Sequence, residues 1–180
     1  MPLLRFAYVL ALALWLGSMV VLGAVVAPVL FTTLSAIAPE TGRALAGQAF
    51  GNILLRFHYL EYAAAGVMLI TLAAMALLGP RPRSFAIRMG IVAVMLGVAV
   101  YAGVIVLREI DGIQAQLAAV AVNTATDHRP AAPPLPSSLP ANDPRRQRFD
   151  QLHVLSTRLM MFNIAAALVL LGWEAREPSR

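Results

Sequence analysis

The chain has 180 residues, of which 59% are hydrophobic and only 13% charged, a balance that excludes an ordinary soluble domain. Its formal net charge is +5, but its 14 basic residues, all arginine, are dispersed among apolar segments, which favours contact with lipid headgroups over nucleic acid. The absence of cysteine excludes disulfides, thiolate metal sites and a cysteine nucleophile.

Four apolar runs predict membrane-spanning helices, because a hydrocarbon layer about 30 Å thick requires about 20 apolar residues per helix. The first run, from about residue 3 to 34, exceeds that length and predicts a tilt or a kink near Pro28. Trp15 and Gly17 lie well inside this run. We expect Trp15, Gly17 and Pro28 to serve helix packing.

The middle of the chain predicts two further spans, 57–78 and 85–107. The less apolar, glycine-containing stretch before the second span predicts an interfacial helix that leads into it. After the third span, an apolar stripe continues at helical spacing to about residue 124, which predicts an extension of that helix beyond the membrane.

The last predicted span covers 145–173, with Asp143 as a plausible N-cap and Pro144 at the first helical position. Six of the 12 prolines lie within 127–144, which predicts an extended, solvated loop. The fold prediction is therefore all-α, with one transmembrane domain over 1–180. It is an integral membrane four-helix up-down bundle with an interfacial helix before the second span and extramembrane extensions of the third and fourth helices.

Up-down connections place the end of the first helix, the start of the second, the end of the third and the start of the fourth at one membrane face. Nearly all internal ionisable groups of the spans are expected at this end. The resulting polar intramembrane cluster consists of His58, Glu61, Tyr62, His153, Ser156, Arg158 and Asn163.

Glu61 lies about two turns into its span, where an ionised carboxylate costs roughly 2.5–3.5 kcal/mol near the membrane centre unless it is paired. Its candidate partners are Arg158, Arg56 and His58. Two interpretations of the cluster stay open. It either binds a cation, a proton, haem or a polar ligand, or it forms a structural clamp that holds the helices in register.

A metal or cofactor is not expected, since the sequence has no HxxxH pair and no Met-x-Met array. The alternative is that His58 and His153, on different helices, bind haem or copper.

Three segments resemble a known family. Leu14-Trp15-Leu16-Gly17 with Ala27-Pro28-Val29-Leu30-Phe31 resembles the first helix of the transmembrane protein 205-like family, and the stretch 42–51 resembles that family's connection into its second helix. Phe149-Asp150-Gln151-Leu152-His153-Val154-Leu155-Ser156 is similar to its fourth-helix pattern. The resemblance implies a four-helix membrane domain of unknown function. A more distant similarity to copper-resistance membrane domains implies metal handling.

These observations predict a non-enzymatic multi-pass membrane protein that handles a small solute or serves as an accessory or assembly subunit of a membrane complex. The alternatives are the haem- or metal-binding redox protein and a proton-coupled transporter that uses Glu61. The expected location is the bacterial plasma (inner) membrane, with both termini cytoplasmic. Expected partners are the lipid bilayer and either further copies of the chain or a larger membrane complex, with no nucleic acid.

Overall fold

The computed structural model describes residues 2–39, 41–79, 84–124 and 135–176. All regular elements in these ranges are helical, and four helices are long and apolar enough to cross a membrane. This confirms the predicted all-α membrane bundle. The helices are α1 (Pro2–Ile37), α2 (Gly42–Leu78), α3 (the successive segments Phe85–Val100, Tyr101–Val106 and Leu107–Thr124) and α4 (Pro144–Arg176).

The structure differs from the prediction at the start of α2, where no separate interfacial helix forms. The stretch is the first part of one 37-residue helix, which at 1.5 Å per residue is about 55 Å long and extends beyond the hydrocarbon layer. Packing against the end of α1 supports this glycine-containing segment, with the rings of Phe31 and Phe50 6.4 Å apart. Gly42 allows the tight turn, because a Cβ there would lie 1.9 Å from the Leu34 carbonyl oxygen.

The main core lies between the membrane-spanning parts of all four helices and includes the fully buried Trp15, Met68 and Met95. A second, smaller core joins the extension of α3 to the start of α4 through Ile113, Leu117 and their apolar neighbours. The two helix extensions therefore pack on each other, as the apolar stripe after the third span predicts.

Two of the helices contain a widened π-helical turn. In α1 the turn Leu22–Val26 closes with the Ala27 N–H donating to the Leu22 carbonyl, one residue before Pro28. Because Pro28 has no N–H, the α-helical hydrogen-bond ladder is interrupted there, and the wider turn accommodates the break. In α3 the turn Tyr101–Val106 has no proline.

The three residues expected to serve helix packing have different positions. Trp15 is fully buried between the helices. Gly17 is exposed, and a Cβ there would meet nothing within 4 Å, so no helix of the described chain approaches it closely and its role in helix packing stays a prediction. Pro28 is also exposed, and it shapes α1 through its backbone.

Before α4, Asp143 occupies the N-cap position. Its Oδ1 accepts a hydrogen bond from the backbone N–H of Arg145 at 2.8 Å, and the guanidinium of the same residue lies 2.8 Å from Oδ2. These contacts lower the pKa of the Asp143 carboxyl to about 2. Part of the loop predicted over 127–144 lies outside the described residues, since 125–134 are not described. The described part contains the short helical turn Pro136–Ser138.

Candidate functional site

A cavity of about 710 Å³ lies between the four helices at the end that contains the predicted polar cluster. Each helix contributes to its walls, and the segment that precedes α4 contributes Leu135 and Pro136. Both π-helical turns border it, since Leu22 and Gly23 of α1 and Ala102 and Val106 of α3 face it. Its apolar walls include the side chains of Met19, Leu22, Phe57 and Met160.

His58 and Glu61 form a buried pair on the cavity wall contributed by α2. The Nδ1 atom of His58 lies 2.7 Å from Oε2 of Glu61, and the exposed fractions of the two residues are 7% and 1%. The two side chains share a helix face because they are three residues apart. Of the three predicted partners of Glu61, His58 contacts it, whereas Arg56 and Arg158 are exposed.

Tyr62 lies beside this pair, with its ring stacked on the His58 ring at 6.1 Å and its hydroxyl donating to the Ala99 carbonyl at 3.4 Å. The opposing surface is Gly103, inside the π-helical turn of α3. A Cβ at Gly103 would lie 2.5 Å from the Tyr62 oxygen and 2.8 Å from the His58 ring. The absence of a side chain at Gly103 therefore permits the close approach of α3 to the pair, a role that sequence reasoning missed.

The wall contributed by α4 contains Asn163, which is only 2% exposed. Its Nδ2 donates to the Met95 carbonyl at 3.4 Å, while no donor within the described residues reaches its Oδ1. The hydroxyls of Ser156 and Thr157 both face the cavity and donate to the His153 carbonyl one turn earlier. Asn163 thus belongs to the cavity wall, while its Oδ1 atom is buried within the bundle.

The seven predicted site residues are only partly brought together. His58, Glu61, His153, Ser156 and Asn163 line the cavity, and Tyr62 supports it from beside His58. Arg158 is exposed and does not contribute to the walls.

The part of the chain that supplies most of the cavity walls matches a known protein family. Residues 10–119 match the family described as Domain of unknown function (DUF4149). The chain belongs to this family. The DUF4149 match includes His58, Glu61 and Gly103 but ends before α4, and it does not carry the transmembrane protein 205-like name that the sequence motifs suggest. No curated protein and no solved structure matches the chain.

His58 and His153, the predicted haem or copper ligands of this DUF4149 chain, have different surroundings. Nδ1 of His58 is engaged by Glu61, whereas His153 is exposed and its ring stacks on that of Phe149 at 6.4 Å. Across the described residues, no group of three or more His, Asp or Glu side chains has a metal-binding arrangement. Haem or copper binding by His58 and His153 stays a sequence-based prediction.

A second buried polar network lies at the opposite end of the bundle, so the expectation that nearly all internal ionisable groups gather at one end is wrong. Glu174 of α4 contacts the guanidinium groups of both Arg5, at 3.0 Å, and Arg88. The Nε atom of Arg88 also donates to the Ser84 hydroxyl at 3.0 Å, and its guanidinium lies 5.7 Å from the centre of the Trp173 ring. Glu174 and Arg88 are 7% and 2% exposed. This network joins α1, α3 and α4 at the end of the bundle opposite the cavity.

Proposed function

We propose that the chain is a non-enzymatic multi-pass membrane protein that binds a small solute in the cavity at the polar end of its bundle. The observation that carries the proposal is the cavity itself, about 710 Å³ in volume, with apolar walls and a small number of convergent polar groups. Volumes of about 300–1,000 Å³ with this type of lining are typical of small-molecule sites. The protein acts by itself or as a solute-binding accessory subunit of a homo-oligomer or larger membrane complex.

Filling the cavity should abolish solute binding. Gly47 lines it and has open space around its Cβ position, so Gly47→Leu places a side chain in the cavity without a backbone clash. The matched control on the same helix is Gly66→Leu, which also has open space but lies away from the cavity. With phenylbutanol as probe and purified protein in neutral detergent, titration calorimetry should show affinity reduced about tenfold or more by Gly47→Leu only. Equal affinities in the two variants would contradict the proposal.

The His58–Glu61 pair favours a second candidate function, proton-coupled solute handling. The carboxylate of Glu61 and the imidazole of His58, 2.7 Å apart on the cavity wall, can take up or release a proton, and a bound solute would sense the resulting change in the net charge of the pair. Tyr62 on α2 and the backbone of Gly103 on α3 lie against the pair. The other ionisable residues that line the cavity within the described chain are Arg43, Asp111, Asp150 and His153.

If a proton is coupled to binding, the affinity for phenylbutanol should change with pH, by about threefold or more over the range in which the protein stays folded. Glu61→Gln should alter this dependence, because it removes one of the two ionisable groups of the pair. Glu109→Gln is the control, since Glu109 is a carboxylate of α3 outside the cavity. A pH profile that is the same in Glu61→Gln and in the unmodified protein would argue against the coupling.

The proposed location is the bacterial plasma (inner) membrane. In the sequence, Arg81 and Arg83 belong to the short connection between the second and third spans, and Arg5 lies at the start of the first span. Arginine in short loops favours the cytoplasmic side, so the termini are placed in the cytoplasm and the cavity at the outer face.

A further inference from the structure

A gap separates the second half of α1 from the first half of α4. The two helices pack on each other over the first part of α1, but the backbone of residues 22–37 comes nowhere within 8 Å of α4 in the described chain. Packed helices lie about 8–10 Å apart axis to axis, so their facing Cα atoms normally come within this distance. The second half of α1 packs on α2 instead and leaves α4 uncovered on this side.

The gap opens into the cavity, because cavity-lining residues lie on both of its edges. They are Gly23, Ala27 and Phe31 on α1, and His153, Ser156, Thr157 and Met160 on α4. We call this gap, bounded by residues 22–31 and 153–160, the α1–α4 seam. The π-helical turn of α1 and Pro28 both lie on its first edge, and each changes the direction of a helix, so the separation begins where α1 is irregular.

The positions of the arginines indicate the depth of the seam in the membrane. Arg5 and Arg88 share one end of the bundle through Glu174, and Arg108 follows Arg88 by 20 residues, about 30 Å along α3. Because the hydrocarbon layer is about as thick, its second border lies near the exposed Arg108. The same length counted along α1 from Arg5 reaches Val25, within the seam. The seam therefore lies at the border between hydrocarbon and headgroups.

The lining of the cavity changes across this border. On the hydrocarbon side, α1 contributes Met19 and Leu22, both apolar. Beyond the border the walls include Arg43 and Gln48 of α2 and Gln114 of α3, which are polar. An amphiphile dissolved in the bilayer has its hydrocarbon chain and its headgroup at these same two levels. It can thus move sideways through the seam without changing its depth.

From these features we infer that the cavity takes up a single-chain amphiphile from the bilayer through the α1–α4 seam. Its chain lies on the hydrocarbon side of the cavity and its headgroup at the polar end. One chain is specified because about 710 Å³ is the size of a site for one small molecule, and a two-chain phospholipid is larger than that. The inference rests on the proposed function, because it names the solute class and the entry route of the same cavity.

Photo-cross-linking in a bilayer tests the inference with the unmodified protein. The probe is a monoacyl phosphatidylcholine with a diazirine near the end of its chain, added to protein in phosphatidylcholine vesicles, and peptide mass spectrometry locates the labelled residues. Ala102 of α3 lines the cavity, whereas Ile105 of the same helix is 51% exposed and does not line it. Since the backbone of α1 nowhere approaches α3 within 8 Å in the described ranges, Ala102 lies across the cavity from the α1 edge of the seam.

Both residues should be labelled, but only the labelling of Ala102 should be saturable. An excess of unlabelled monoacyl phosphatidylcholine should suppress it and leave Ile105, which contacts bulk lipid, labelled as before. A two-chain phosphatidylcholine with the same diazirine should label Ile105 and not Ala102.

A substitution on the edge of the seam tests the entry route. A Cβ at Gly23 would lie 3.7 Å from Cε of Met160, an ordinary contact, so Gly23→Phe places a ring across the seam. Gly17→Phe is the matched control, because Gly17 is exposed on the same helix and a Cβ there meets nothing within 4 Å. Labelling of Ala102 should fall about tenfold or more in Gly23→Phe only. Circular dichroism checks the fold, and the competition experiment with the unmodified protein decides the question if Gly23→Phe does not fold.

Four results would overturn the inference: no labelling of Ala102, labelling that excess monoacyl lipid does not suppress, equal labelling by the two-chain probe, or equal labelling in folded Gly23→Phe and Gly17→Phe. The solute-binding function would still stand if phenylbutanol binding is sensitive to Gly47→Leu. If Ala102 is not labelled and phenylbutanol binding is also insensitive to Gly47→Leu, both proposals fail.

Discussion

Replacing Glu174 with alanine is expected to destabilise the bundle by about 3–5 kcal/mol, the usual cost of removing one partner from a buried ion pair. The substitution removes the carboxylate that both Arg5 and Arg88 contact, and Arg88 is only 2% exposed. Its guanidinium would then have to stay charged in a low-dielectric environment without this counter-ion. Unfolding in a titration with a denaturing detergent, followed by circular dichroism, measures the change.

The matched control is Glu109→Ala, which removes a carboxylate 2.6 Å from Arg148 at the exposed end of α3. Little change is expected there, because water and salt screen exposed ion pairs. A double variant, Glu174→Leu with Arg88→Met, should recover much of the stability lost in Glu174→Ala, since an apolar pair of similar volume needs no counter-ion. If Glu174→Ala unfolds as Glu109→Ala does, the network contributes little to the bundle.

The parts of the structure that follow from local sequence were predictable. Four apolar runs of sufficient length define the spans, and helix parity then decides which helix ends share a membrane face. The His58–Glu61 pair also follows from local spacing, since two residues three positions apart on one helix must share a face. The polar end of the bundle was therefore predictable, and local spacing made His58 one of three candidate partners of Glu61.

The contacts between helices were not accessible, because they depend on how each helix is rotated about its axis. Arg88 and Glu174 are 86 positions apart, and parity assigns them to the same end without bringing them into contact. Gly17 is expected from the sequence to serve helix packing, yet α1 is rotated so that it faces outward. Gly103 faces α2 from within a π-helical turn, which changes the residues per turn and shifts the face that follows.

The cavity is the feature that follows least directly from the sequence. It arises where two widened turns, in α1 and α3, lie beside the pair of α2 and the buried Asn163 of α4. The polar residues alone left open whether the cluster is a ligand site or a clamp. The volume between the four helices is the observation that favours a ligand.

Gly103→Ala is expected to be the most disruptive glycine-to-alanine change in α3, with a loss of about 1–3 kcal/mol for overpacking a filled site. The new methyl group would lie 2.5 Å from the Tyr62 oxygen and 2.8 Å from two carbons of the His58 ring. The imidazole cannot retreat freely, because its Nδ1 is held by Glu61 at 2.7 Å. The variant should therefore lower the unfolding midpoint and also weaken phenylbutanol binding.

Gly97→Ala, six residues earlier in α3, distinguishes the effect of packing from that of helix propensity. A Cβ at Gly97 meets nothing within 4 Å, so this change should be neutral or stabilising by up to about 1 kcal/mol through the better helix propensity of alanine. Combining Gly103→Ala with Tyr62→Phe removes the nearest clashing atom and should recover part of the loss, whereas the contact with the His58 ring stays. Equal stability of Gly103→Ala and Gly97→Ala would mean that α3 is farther from the His58–Glu61 pair than the structure places it, and the cavity wall at this level would then be formed without the π-helical turn.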